Sequence, residues 1–170
     1  MDFKQRLQRA SDRGRQTRQA QAAEAAAEAL SEEEWRRRHT RYRLEICDHA
    51  ETCLKQLADN LPGFLFKTVA NDKGWGASVS RDDLSLADGQ RKNLFSQYAI
   101  LVGPFSKYHV LDLIAKGTIC NKENFHRNHY QSLDEVDLDN FRKLVEQWTL
   151  DFAEQYTANR LRASGKVEEL

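Results

Sequence analysis

The sequence predicts an α+β fold: a two-layer sandwich in which an antiparallel β-meander of about five strands is covered by two long amphipathic helices, with an N-terminal helical extension. Three observations support this prediction. Residues 62–131 consist of short alternating segments, an amphipathic helical pattern flanks them on each side, and residues 2–30 lack a broad apolar stripe. We therefore expect a partly ordered helical arm over residues 1–30, an α+β domain over 31–160 and a polar tail over 161–170.

The arm is rich in helix-forming residues and poor in large apolar ones. Between Asp2 and Leu30 the composition is dominated by Ala, Gln, Glu and Arg, and Phe3 and Leu7 are the large apolar side chains before Leu30 itself. Because a helix without an apolar face cannot be held by a core, we expect this arm to be helical only in part, or helical when docked on a partner.

The first helix of the domain is predicted to begin at Ser31, where Ser31 and Glu34 have the spacing of a capping box. Apolar and weakly polar residues then recur at steps of three or four and form one helical stripe. Asn60 and the Pro62-Gly63 pair are expected to end the helix. The stripe consists of Trp35, His39, Tyr42, Ile46, Ala50, Cys53 and Leu57.

Alternation of apolar and polar residues then predicts the strands, and short connections favour antiparallel pairing. Residues 81–93 are mostly polar and are interpreted as a loop centred on Asp88-Gly89. A final helix from about Asp137 to Asn159 carries Phe141, Trp148 and Phe152 on its apolar side, with Asp134 or Asp137 as its cap. The predicted strands cover residues 64–70, 75–79, 97–103, 108–119 and 118–131.

The composition bounds the class of protein. Charged residues make up 31% of the chain and balance to zero, with a pI near 7, so no net field favours nucleic acid, a membrane or an acidic substrate. The three cysteines are most simply reduced thiols, which favours a cytoplasmic location. The longest apolar run, Tyr98 to Val102, is too short to span a bilayer, so we expect no membrane association.

A polar segment over residues 121–130 is the candidate rim of a ligand-binding or catalytic site, because it combines acidic, basic and amide groups. If the segment is extended, His126 and His129 point to opposite faces and cannot bind one metal ion. The alternative is an edge strand kept polar against aggregation, which the sequence favours. The candidate rim residues are Glu123, His126, Arg127, His129 and Tyr130.

A metal site is a weaker possibility. His49 and Cys53 lie four residues apart on a helix and so face the same way, with Cys47 nearby and His126 or His129 as further ligands. Structural zinc normally shows tighter ligand pairing, and free cysteines on an apolar stripe usually act as small hydrophobic residues. We therefore predict no metal site and no cofactor.

Basic residues on the helices form a candidate interaction face. These residues suit a protein partner or a second copy of the chain. Nucleic acid is a disfavoured alternative, because the arm has almost no aromatic residues and the second arginine cluster directly follows Glu32, Glu33 and Glu34. The basic residues are Arg6, Arg9, Arg13, Arg36, Arg37 and Arg41.

No nucleophile elbow, phosphate-binding loop, dinucleotide fingerprint or HExxH helix is present in the sequence. The sequence thus gives no positive indication of an enzyme. The favoured hypothesis is a non-enzymatic protein-interaction or scaffold module that uses the helical arm. The alternatives are a small ligand-binding protein or enzyme with a site at residues 121–130, and nucleic-acid binding through the basic arm.

Overall fold

The computed structural model describes residues 2–87 and 89–163 and confirms the predicted α+β class. One five-stranded antiparallel sheet has the strand order β1-β2-β3-β4-β5, which is a simple meander. The chain divides into two compact units, one ending at Arg38 and the other beginning at His39. The elements are α1 (Phe3–Asn60), β1 (Leu65–Asn71), β2 (Gly74–Ala87), β3 (Gln90–Val102), β4 (Val110–Ile119), β5 (Lys122–Ser132) and α2 (Leu138–Ala163).

Both helices of the second unit pack on the same face of the sheet, as predicted. In α1, the Arg43 guanidinium lies 4.0 Å from the centroid of the Trp75 ring in β2. In α2, the ring of Phe152 stacks on Tyr98 of β3, with ring centroids 4.7 Å apart. Trp75 and Tyr98 lie on one side of the β2–β3 pair, because Trp75 faces Val102 and Tyr98 faces Val79 in the register.

The core between the helices and the sheet is built around aromatic rings. Tyr98, Phe125, Phe152 and Tyr156 are essentially inaccessible to solvent. Phe125 meets Phe152 edge to face at 6.1 Å, and Phe64 meets Tyr156 in the same way at 4.8 Å. Offset and edge-to-face contacts of this kind add specific geometry to the burial of apolar area. The core therefore requires α2 to sit at one position over β3 and β5.

Three expectations about local structure were wrong. The helix that was expected to start at Ser31 starts at Phe3, so Ser31 lies inside α1 and does not cap it. Glu33 and Glu34 point forward along the helix instead, and pair with Arg37 and Arg38 at 3.1 and 3.5 Å. No helix-breaking residue separates the arm from the stripe, which explains the uninterrupted helix. Trp35, which the predicted stripe would place among the buried residues, is only partly buried, and the Arg38 guanidinium lies 5.0 Å from its ring.

The third error concerns the polar loop predicted over residues 81–93. These residues belong to a long hairpin in which β2 and β3 stay paired from Arg81 and Ser96 out to Ala87 and Gln90. In the outer part of β2 the polar residues Arg81, Asp83 and Ser85 are half-buried, whereas Leu84 and Leu86 on the other face are exposed. This is the reverse of the apolar-inward alternation from which a strand is predicted. Backbone pairing, which composition does not reveal, maintains the hairpin.

The start of α2 agrees with the prediction from its cap. The Asp137 carboxylate accepts a hydrogen bond from the backbone amide of Asn140 at 3.2 Å, which is the N-cap interaction. Neither α1 nor α2, over the described residues, contains a stretch both long and apolar enough to cross a membrane.

Candidate functional sites

The first candidate is the arm, which we define as residues 3–34 of α1. Every described side chain from Asp2 to Ala29 is exposed, including the large apolar residues Phe3 (67% exposed) and Leu7 (54%). Side chains that a folded domain normally buries are thus presented on a continuous helix. Since most helical stability in proteins comes from packing of an apolar face, the arm lacks the contacts that stabilise most helices.

The predicted basic face lies on exposed helix surface. Arg6, Arg9 and Arg13 follow one another at steps of three and four, so they share one side of α1. Arg36 and Arg37 lie further along the helix, and Arg37 is paired with Glu33. Arg41, also exposed, belongs to the second unit, where its guanidinium lies 5.1 Å from the ring of Tyr42.

The charges of the arm are separated into two blocks, of which the basic one was expected from the sequence and the acidic one was missed. Residues 2–18 carry six basic side chains and only two acidic ones, whereas residues 19–35 carry five glutamates and no lysine or arginine. The basic block (Lys4 to Arg18) and the acidic block (Glu24 to Glu34) lie on the same exposed helix. A residue-by-residue inspection of charge would also have found the acidic block.

The second candidate, the polar segment, forms β5, and the structure does not bring its five predicted rim residues together. Arg127 and His129 lie on the same side of the strand as the buried Phe125 and are half-buried. His126 and Tyr130 lie on the opposite side and are exposed, as is Glu123 near the start of the strand. β5 is an edge strand of the sheet, in agreement with the alternative of a polar edge strand that protects against aggregation.

His129 is held by contacts to the start of α2. Its Nε2 atom lies 3.1 Å from the Gln131 amide nitrogen and 3.5 Å from that of Asn140, so it can accept from one or both. The imidazole also meets the ring of Phe141 edge to face at 5.3 Å. The side-chain oxygen of Gln131 accepts from the backbone amide of Asp137 at 2.7 Å. These contacts connect β5 to the N-cap of α2, so the role of His129 is structural.

Tyr130 contributes to a shallow depression on the outer face of the sheet, with a volume of about 510 Å³. Asp112 lies in this depression, and its Oδ1 atom is buried without a hydrogen-bond partner among the described residues. Burial raises the pKa of the Asp112 carboxyl, an effect that the hydrogen bond from Asn128 opposes. The other residues lining the depression are Tyr108, Val110 and Asn128.

Comparisons with models of protein families, with curated proteins and with solved structures find no match for this chain.

Proposed function

We propose that this protein is an interaction module that pairs with a second copy of itself through the arm. The observation that carries the proposal is the continuous helix from Phe3, on which all described side chains up to Ala29 are exposed. The arm gains little stability from core contacts, because its described side chains up to Ala29 are exposed. Association would bury the apolar surface that Phe3 and Leu7 expose.

The charge blocks favour a second copy in antiparallel orientation. When two arms lie antiparallel and are centred near Ala20, the basic block of each copy faces the acidic block of the other. Parallel pairing would place like charges opposite each other, which is unfavourable. The same chain therefore carries both halves of a complementary interface, and the symmetric pairing needs no other partner.

The side chains along the arm are small enough for close contact between two helices. Phe3, Leu7, Ala10, Gly14, Thr17 and Gln21 recur at alternating steps of four and three, which is the spacing of a coiled-coil seam. Seven of the ten residues from Ala20 to Ala29 are alanine, so the backbones can approach closely in the middle of the pair. With few large apolar residues, we expect an association that depends on the charges and weakens as salt is raised.

Sedimentation velocity of the full chain at low and at physiological ionic strength tests this proposal. We expect a dimer at low salt whose population falls at higher salt. The triple variant Arg6→Glu/Arg9→Glu/Arg13→Glu should be monomeric, as should Glu24→Arg/Glu28→Arg/Glu32→Arg. An equimolar mixture of the two variants should dimerise again, because their arms are now complementary to each other. Lys67→Glu/Lys116→Glu, on exposed positions of the sheet, is the matched control and should behave like the wild type.

A wild-type chain that stays monomeric at all salt concentrations would overturn the proposal. So would a dimer that both arm variants leave unchanged. The nucleic-acid alternative predicts something different: binding to duplex DNA that falls steeply with salt and is lost in the Arg-to-Glu variant. The acidic block and the ion pairs from Glu33 and Glu34 to Arg37 and Arg38 argue against that alternative.

A further inference from the structure

A histidine, a cysteine and a glutamate meet where α1 and α2 run side by side. His49 and Cys53 are four residues apart on α1 and face the same way, and Glu146 approaches from α2. The His49 Nε2 atom lies 3.7 Å from the Cys53 Sγ atom and 3.4 Å from the Glu146 Oε1 atom. All three potential ligand atoms lie within 4.8 Å of one another.

We propose that His49, Cys53 and Glu146 bind Zn²⁺, or a cation of the same ligand preference, through one nitrogen, one sulfur and one carboxylate oxygen. Zinc binds these donors at about 2.0–2.3 Å in tetrahedral geometry. That geometry separates a nitrogen from a sulfur ligand by about 3.5 Å, and a nitrogen from an oxygen ligand by about 3.4 Å. The distances from His49 to Cys53 and Glu146 are already close to these values. The Cys53 and Glu146 ligand atoms lie within 4.8 Å of each other, and binding would hold them about 3.6 Å apart.

The site has three protein ligands and room for a fourth. Cys53 and Glu146 also line a groove between the two helices, with a volume of about 530 Å³ and with Gln56, Asn60 and Leu150 among its other residues. His49 lines the neighbouring part of this surface together with Asp48 and Glu51, and with Glu45, Lys55 and Arg142, of which Glu45 and Arg142 form an ion pair at 3.3 Å. A zinc ion with three protein ligands commonly takes water or a small molecule in the fourth position. The groove offers access for such a ligand.

The direction of the contacts distinguishes a metal site from a nucleophilic cysteine. In a triad, the nucleophile and the acid contact opposite nitrogens of the imidazole. Here Cys53 and Glu146 both approach Nε2, as ligands do when they converge on one ion.

The two other groups that the sequence suggested as ligands lie elsewhere. The Cys47 thiol is a donor to the Trp75 carbonyl, and burial raises its pKa to about 11. His126 and His129 lie on opposite sides of β5, and His129 is engaged by Gln131 and Asn140. Glu146, on a helix nearly one hundred residues later in the chain, is the third ligand of the proposed site, and it could not be identified from the sequence.

The test is metal binding by the full-length, chelator-treated and chemically reduced protein. Isothermal titration with Zn²⁺ should give one ion per chain. Titration with Co²⁺ should give the charge-transfer absorption of a cobalt–thiolate bond together with the intense visible bands of a four-coordinate ion. Cys53→Ser should remove the charge-transfer absorption, and His49→Gln or Glu146→Gln should weaken Zn²⁺ binding by about 100-fold or more.

Glu146 is largely exposed, so Glu146→Gln keeps the test valid if a variant of a half-buried ligand does not fold. Cys120→Ser, which removes a thiol in the turn between β4 and β5, is the matched control and should bind Zn²⁺ like the wild type. Absence of stoichiometric Zn²⁺ binding would overturn the proposal. Binding that persists unchanged in Cys53→Ser and Glu146→Gln would place the metal elsewhere and overturn it equally. Neither result bears on pairing through the arm.

Discussion

The hydroxyl group of Tyr156 in α2 donates a hydrogen bond to the Asp83 carboxylate in β2, with 2.8 Å between the two oxygen atoms. The same carboxylate accepts from the Arg81 guanidinium at 2.7 Å. This hydrogen bond therefore connects α2 to the part of the β2–β3 hairpin that was predicted to be a loop. Burial, then the Asp83 carboxylate, raise the pKa of Tyr156 to about 12, so the hydroxyl remains a donor throughout the physiological pH range.

Replacing Tyr156 with phenylalanine should lower the free energy of unfolding by about 1–2 kcal/mol, because it removes a hydrogen bond to a charged group while keeping the aromatic ring. Urea denaturation followed by circular dichroism measures the effect. Tyr130→Phe is the control, since Tyr130 is 66% exposed, and should change stability by less than about 0.5 kcal/mol. Equal effects of the two substitutions would show that the Tyr156–Asp83 contact contributes nothing.

His39 should make the protein sensitive to mild acid. It is buried, and its Nε2–H donates to the Gly103 carbonyl oxygen at 3.1 Å. Burial lowers its pKa from the ordinary value of 6.5, with a smaller lowering effect from Arg43. Above pH 6.5 both folded and unfolded states are neutral at this position. Below it the unfolded state takes up the proton first, so the free energy of unfolding falls as the pH falls.

The variant His39→Gln checks this dependence, because a glutamine amide can donate to Gly103 without titrating. We expect the loss of stability between pH 7 and pH 5 to be smaller in His39→Gln than in the wild type, as measured by urea denaturation at several pH values. His126→Gln, at an exposed position, should keep the wild-type pH dependence. If His39→Gln shows the same slope as the wild type, the assignment to His39 is wrong.

Gly117 provides the space that the aromatic core needs where β4 and β5 shift register. A Cβ atom at this position would lie 2.9 Å from the Phe125 Cβ atom and 3.0 Å from the ring of Phe152. Gly117→Ala should therefore lower the free energy of unfolding by about 1–3 kcal/mol through overpacking. At Gly103 a Cβ atom would meet the Asp112 side chain at an ordinary 3.5 Å, so Gly103→Ala is the comparison and should cost much less. Thermal unfolding of both variants measures the difference.

Asp112 should reduce stability at neutral pH. Burial favours the protonated form of the Asp112 carboxyl group and raises its pKa. As the pH rises through that pKa, the folded state must bury a charged carboxylate, so the free energy of unfolding falls. Asp112→Asn should raise the free energy of unfolding at pH 7 by about 1 kcal/mol, because a neutral amide is less costly to bury than a carboxylate. Near pH 3, where the carboxyl group is protonated, wild type and variant should be equally stable. A variant less stable than wild type at pH 7 would contradict this account.

How much of the site could be predicted differs from one residue to another. The shared face of His49 and Cys53 follows from their spacing of four on a helix, and the opposite directions of His126 and His129 follow from the period of a strand. Glu146 could not be connected to His49 from the sequence, because no local rule relates residues on two helices separated by five strands. The basic residues of the arm were recognised from the sequence, whereas the acidic block that follows them was overlooked although it is an equally local feature.

The sequence by itself determined the elements whose burial is periodic: the apolar side of α1 after His39, the inward residues of β3 and β4, and α2 with its Asp137 cap. Such patterns are local, since a helix or strand repeats its buried face at a fixed interval. Only the tertiary structure decided the extent of the β2–β3 hairpin, the contact of Tyr156 with Asp83 and the meeting of Glu146 with His49 and Cys53. Backbone pairing and contacts between distant segments determine these features, and neither leaves a periodic signal in the residues involved.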